Sequence, residues 1–246
     1  MKPALLITGA AGTMGQALVR RLAKSVDGPK VRWILTGRRM DQIQVQVSTL
    51  KALGFEAQGQ KLDMADEAGC EAFLDALPGL GPFWGLALLA GINHDDPLLR
   101  LEESAWDRVW QVNVGFHSRL LRRLDRDKLF APAARGFLTG SQVGLRGNAG
   151  QAAYAAAKGA LLDLLQSSPQ NLRLNLLLPP LMLSPLLDPL SPEALQSLFA
   201  ARLLQDPDPA LSCAEAGAYL LGDESRYVHR QVWHADSRVS VLGGPL

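Results

Sequence analysis

The chain has 246 residues, 48% of them apolar, and a formal net charge of +1. That length can build one large α/β domain with a sizeable core, or two small domains. A balance so close to neutral gives no field directed at nucleic acid or a membrane surface. Two widely separated cysteines, Cys70 and Cys213, fit neither a disulfide framework nor a zinc site and are expected as buried fillers in a reducing cytoplasm. After Met1-Lys2-Pro3 the chain enters a β-like run without the apolar stretch of a secretion signal, and no membrane span is visible, so a cytoplasmic location is expected.

In chain order, Ala4–Thr8, Val31–Thr36 and Gly85–Ala90 read as buried strands, with amphipathic helices at Gln16–Lys24 and Met40–Leu53 between them. A helix near Ser104–Leu124, a strand at Arg135–Thr139, a helix at Ala152–Gln166 and a strand at Leu172–Leu178 continue the rhythm. Strands alternating with helices predict a doubly wound, Rossmann-type α/β fold: one parallel sheet between two helical layers. No repeat or linker interrupts it, so a single domain is expected over 1–246, with a dinucleotide-binding half over about 1–90 and a catalytic half over about 91–246. The stretch Pro179–Pro209 holds seven of the fifteen prolines. It reads as a substrate lid, or as a surface connection with one short helix at Pro192–Leu204.

The first strand runs into Thr8-Gly9-Ala10-Ala11-Gly12-Thr13-Met14-Gly15 and then a helix. Glycines three apart at a strand-to-helix turn let the backbone bend tightly and bring a pyrophosphate to the free N–H groups of the helix start, although a Gly-rich turn can also stand without a ligand. Selectivity between dinucleotides is set after the second strand, where Arg38 and Arg39 stand and no carboxylate does. Two guanidiniums favour the 2′-phosphate of NADP over the free ribose of NAD, unless they are only a solvated helix start. Asp63-Met64 ends the third strand-like segment. Asp63 could accept from the adenine amino group or cap the next helix.

Tyr154 and Lys158 lie four residues apart on a helical stretch, hence on one face. An ammonium beside a phenol favours phenolate and would bring the phenol into a useful range. Ser141, thirteen residues before Tyr154, follows a strand and should lie at the carboxyl edge of the sheet, where open α/β folds place ligands.

Together these motifs resemble the short-chain dehydrogenase/reductase family over essentially the whole chain: the turn Thr8–Gly15, Asp63, Ala90-Gly91, Asn113, Ser141, Tyr154 with Lys158, and Pro179 leading into the lid. The resemblance implies an NADP(H)-dependent oxidoreductase. In it Ser141 steadies the substrate carbonyl oxygen and Tyr154 delivers the proton. Lys158 holds the nicotinamide ribose and lowers the Tyr154 pKa, and Asn113 positions a water linking Lys158 to solvent. The cofactor would then meet Thr8, Gly9, Gly12, Thr13, Met14, Gly15, Arg38, Arg39, Asp63, Met64, Ala90, Gly91, Tyr154, Lys158, Pro179 and Ser184. The run from Ala90 to Leu101, followed by Trp106-Asp107-Arg108-Val109 and Asn113, is similar to 3-oxoacyl-(acyl-carrier-protein) reductases. That implies reduction of a 3-oxoacyl thioester on acyl carrier protein, in fatty-acid or polyketide-like synthesis.

Departures from the family pattern qualify the carry-over. Gly12 stands one place before the usual glycine, at Thr13. Leu88-Leu89 replace side-chain amides that brace the central strand, and Pro179-Pro180 replaces Pro-Gly, with Ser184 in place of a threonine. Ser167-Ser168-Pro169 ends the catalytic helix early, and Asp236-Ser237-Arg238 replaces a Gly-rich tail. The last two changes bear on assembly and imply either a homo-oligomer with an altered interface or a hetero-oligomer with another family subunit. Arg119, Arg122, Arg123, Arg126 and Lys128 could dock an acidic carrier, or form an ordinary solvated face relieved by Asp125 and Asp127. Two other functions stay open: a reductase or dehydrogenase of a free ketone or alcohol, and a non-catalytic NADPH-binding subunit.

Overall fold

In the computed structural model, residues 2–24, 31–184, 187, 191–200 and 206–236 are described. Seven strands form one parallel sheet in the order β3-β2-β1-β4-β5-β6-β7. They are β1 (Ala4–Thr8), β2 (Arg32–Gly37), β3 (Glu56–Lys61), β4 (Phe83–Leu88), β5 (Phe130–Thr139), β6 (Leu172–Leu178) and β7 (Val232–His234). Because helices cover both faces, the central strands are apolar at nearly every position; all five residues of β1 are buried.

Successive side chains alternate between two cores. Leu6, Ile34, Leu86, Leu138 and Leu176 face one layer, made of α3 (Glu67–Leu80), α4 (Glu103–Trp110), α5 (Phe116–Arg126) and α7 (Ala152–Gln166). Leu5, Ile7, Leu35, Ala87, Phe137 and Leu177 face the other, made of α1 (Thr13–Leu22), α2 (Met40–Ala52) and α9 (Pro209–Leu221). A short α6 (Val143–Arg146) precedes α7, and α8 (Pro192–Ala200) lies within the Pro-rich region. Strand order reverses between β1 and β4, whose Thr8 and Leu88 pair at their carboxyl ends. At such a reversal the loops leaving the two strands diverge and open a crevice.

The expected elements are present, with differences. The single helix read near Ser104–Leu124 is broken by a π-helical turn at Gln111–Gly115, which divides it into α4 and α5. One extra residue per turn leaves the apolar face almost continuous, so periodicity does not reveal it. β2 begins one residue later than read and β4 starts at Phe83 and ends at Leu88. β5 reaches back to Phe130, irregularly, with Ala133 at φ 58°. The short helix in the Pro-rich region starts at Pro192 as expected and is described to Ala200; 201–204 fall outside the described residues. α9 and β7 were not anticipated. Gly217 of α9 packs so close to β5 that a Cβ there would come 2.9 Å from the Phe137 ring. Arg135 of β5 is buried against Trp84 (5.1 Å to the ring centroid) and reaches Gly222 O (2.6 Å) and Asp223 (2.8 Å), which clamps the end of α9 to the sheet.

Candidate active site

The crevice at the strand reversal is a cleft of about 750 Å³. One wall is the turn between β1 and α1. Gly9 has φ 65°, a left-handed conformation that suits glycine, and a Cβ there would meet the Ala90 backbone N at 2.9 Å. Gly15 is tighter: a Cβ would fall 2.5 Å from Gly9 O and 2.7 Å from Ala10 Cα. Gly12 is looser, with its nearest contact at 3.2 Å. The turn closes through Gly12 N donating to Gly9 O at 2.9 Å. The first amides of α1, at Thr13, Met14 and Gly15, have no turn behind them to bond. A bare backbone at the positive end of a helix dipole fits a pyrophosphate.

The other residues assigned to a dinucleotide divide between wall and support. Thr13, Met14, Arg38, Arg39, Asp63, Met64, Ala90, Gly91, Pro179 and Ser184 all line the cleft. Thr8 lies behind it, fully buried, and its Oγ1 accepts from Leu89 N (3.0 Å) and Ala90 N (3.3 Å). That hydroxyl braces β4 where Leu88 and Leu89 supply no side-chain amide. Asp63 caps a turn and not a helix: its Oδ1 accepts from Ala65 N at 3.0 Å, and Asp66 occupies the N-cap of α3. Arg38 and Arg39 are both exposed at the rim, and Arg39 donates to the Ala11 carbonyl. The first residues after β6 reach back over the turn, with Thr13 Oγ1 donating to Leu183 O at 3.4 Å.

Ser141 and Tyr154 line the catalytic end of the same cleft. Ser141 leaves β5 on a turn in which its Oγ accepts from Val143 N at 3.2 Å. Tyr154 presents its phenol from the first turn of α7. Burial pushes that phenol up to about 12, and the approach of the Ser141 side chain opposes the shift only in part. This corrects the expectation that Lys158 lowers it: the Lys158 amine is 5.6 Å from the ring centroid and donates instead to Thr139 O at 2.8 Å. Lys158 is itself 4% exposed, and burial brings it down to about 8.

Asn113 is fully buried in the π turn, behind Gly91. Its Nδ2 donates to Val109 O and Ile92 O, each at 2.8 Å. Its Oδ1 has no partner among the described residues. A Cβ on Gly91 would lie 2.7 Å from that Oδ1 and 3.3 Å from Lys158 Nζ, so the glycine leaves open a spot that both groups face.

Three groups at the site were not singled out from sequence. Asp95 lines the cleft, held by Asn93 Nδ2 and Gln151 Nε2 at 2.7 Å each, and its charge adds to the upward push on Tyr154. Gln151 stands three residues before Tyr154, a helical spacing that could have flagged it. His117, one turn beyond Asn113, could have been found as a histidine among apolar neighbours. Three members of the basic patch are paired: Arg119 with Glu71 (2.8 Å), Arg123 with Asp75 (2.6 Å) and Asp127 (2.9 Å), and Arg126 with Asp127 (2.8 Å), while Arg122 and Lys128 are exposed.

A doubly wound sheet with a glycine-lined turn facing a phenol, a hydroxyl and a buried amine defines a nucleotide-dependent α/β enzyme. The family model for short chain dehydrogenase matches residues 3–193. The chain belongs to that family and is an oxidoreductase of it. It is 28% identical over 244 residues to nodulation protein G of a Rhizobium species, covering 96% of each chain. It is 27% identical over 237 residues to the 3-oxoacyl-[acyl-carrier-protein] reductase of Escherichia coli, covering 94% of each. Among solved structures it resembles a short chain dehydrogenase from Burkholderia cenocepacia in complex with NADP, with a TM-score of 0.83 and 24% identity over 97% of this chain and 98% of that one. A variant of actinorhodin polyketide ketoreductase solved with NADPH gives a TM-score of 0.80 at 20% identity, over 96% of both.

Proposed function

We propose that this oxidoreductase is an NADPH-dependent ketoreductase whose substrate is a 3-oxoacyl thioester on acyl carrier protein, reduced to the 3-hydroxyacyl thioester. The observation that carries the reading is the single cleft that joins Gly9–Gly15 and Arg38 at one end to Ser141 and Tyr154 at the other. The bare glycine turn fits a pyrophosphate, and Arg38 at the rim fits a 2′-phosphate. When bound, the reduced nicotinamide supplies a hydride to the carbonyl carbon.

The chain's own groups manage the oxygen. Ser141 donates a hydrogen bond to it as negative charge develops, in a site that is already organised. Tyr154 gives it the proton. A phenol held near 12 is fully protonated at neutral pH, so the resting site is charged for reduction. Lys158, an ammonium below about pH 8, would hold the ribose hydroxyls.

Partner and substrate rest on the likeness to carrier-protein reductases. The ion pairs of Arg119, Arg123 and Arg126 leave less free charge for a carrier than the sequence promised, and this favours as a second reading a free ketone as substrate. The test is NADPH oxidation with carrier-linked, coenzyme A-linked and free 3-oxo compounds. Preference for the carrier-linked form supports the proposal, and equal rates on a free ketone support the second reading. Tyr154→Phe should lower kcat by about 10²–10⁴-fold with an unchanged melting temperature. Wild-type rates in that variant would remove Tyr154 as the acid.

A further inference from the structure

His117 lies on α5, four residues after Asn113, and is 2% exposed. Its Nδ1 is 3.0 Å from the Asn113 carbonyl oxygen. A carbonyl offers no proton, so the contact is a hydrogen bond only if the ring carries its proton on Nδ1. Nε2 is then a bare acceptor, and it is buried with no partner among the described residues. The ring stays neutral, since burial and the nearby Lys158 charge bring its pKa down to about 4.

Such a side chain is a poor choice for packing. A leucine would fill the same space among apolar neighbours without a stranded nitrogen, and a buried unsatisfied acceptor is destabilising. What imidazole supplies and leucine cannot is the Nδ1–H on Asn113. The Asn113 side chain is held through Nδ2, by Val109 O and Ile92 O, within a turn whose π geometry departs from the regular helix ladder. The one group of Asn113 left unspent is Oδ1, which faces the spot before Gly91 shared with Lys158 Nζ.

We propose that His117 is a positioning residue for the proton path: by holding the Asn113 carbonyl it fixes the π turn and keeps Asn113 Oδ1 turned toward Lys158. An acceptor on that side stabilises the ammonium form of Lys158. Loss of the Nδ1 donor frees the turn, weakens that support and makes Lys158 give up its proton at lower pH. Titratable groups that meet Lys158 are Tyr154 on its own helix and His117 on α5. His117 stays neutral above about pH 4, so its effect runs through Asn113.

The inference rests on the oxidoreductase reading of Lys158, and its test uses two full-length variants and two measurements. His117→Leu removes the donor at similar volume. His117→Asn places an amide N–H near the position of Nδ1. With a ketone substrate, His117→Leu should lose at least about fivefold in kcat with KM within twofold and an equal or higher melting temperature, and His117→Asn should recover to within about threefold of wild type. In NADPH binding followed by cofactor fluorescence, the alkaline limb near pH 8 should move to lower pH in His117→Leu and return in His117→Asn. The second measurement needs no turnover, so a wild type that reduces no ketone defeats the proposed function and leaves the binding limb to decide on His117. An unmoved limb with wild-type kcat in His117→Leu overturns the proposal. So does a loss of kcat that follows a lower melting temperature and is not restored by asparagine, which would make the ring a packing residue.

Discussion

At Tyr154 three influences act on one phenol. Burial raises it most, the Ser141 side chain pulls it back, and the Asp95 charge adds to the rise, so the upward push prevails. Lys158 is also desolvated, with the opposite sign, because for an amine burial disfavours the protonated form. The reductive rate should therefore hold from neutral pH to about 8 and fall above it as Lys158 loses its charge, well before the phenol ionises. A pH–rate profile checks this, and a limb near 10 or above would contradict it. Gly91→Ala tests the space between Asn113 and Lys158: a Cβ 2.7 Å from Oδ1 should lower kcat about tenfold or more with little change in melting temperature. Ser141, Tyr154 and Lys158 were legible as candidates from side-chain chemistry and spacing, and Asn113 only through the family resemblance. The direction of the Tyr154 shift was not. Spacing of four puts an ammonium on the right face, but only the packed site shows that Lys158 turns to Thr139 O and that desolvation outweighs it.

Between β1 and α1 three glycines share one motif but carry unequal constraint. Gly15 abuts the backbone of Gly9 and Ala10, which cannot yield without moving the turn, whereas Gly12 has only Gly9 O at 3.2 Å. Gly15→Ala should abolish measurable NADPH binding or folding of the turn, and Gly12→Ala should weaken binding by about tenfold or less. Dissociation constants of the two variants check the ranking, and equal effects would contradict it. A similar close approach joins α6 to α7, where a Cβ on Gly144 would fall 2.6 Å from the Lys158 carbonyl carbon and 2.8 Å from Gly159 N. Elements with a strong pattern of their own, β1, β6 and α7, were readable to the residue. The π turn was not, because an inserted residue scarcely disturbs an amphipathic face. α9 and β7 escaped because their definition lies in partners far along the chain: Gly217 against Phe137, and Leu176–Leu178 against Val232–His234.

For the whole molecule, the alternation of strands and helices announced a doubly wound sheet, and that topology brings the turn at Gly9 and the phenol at Tyr154 to one cleft. The cost of placing ionisable groups inside it shows in acid. His117 takes up its proton near 6.5 when unfolded and near 4 when folded, so the unfolded chain binds more protons between those values and stability declines as pH falls through that window. The contribution is on the order of 3 kcal/mol, and His117→Leu should flatten the acid side of a plot of melting temperature against pH. An unchanged slope would show that other groups set it. The two cysteines offer a separate consequence. Cys70 is sealed in the core on one face of the sheet and Cys213 in the core on the other, with thiols pushed up to about 11 and about 12. Neither can meet a thiol reagent until its own layer opens. Labelling of single-cysteine variants would therefore time the opening of each face separately, turning two inert fillers into independent clocks for how the two halves of the sandwich come apart.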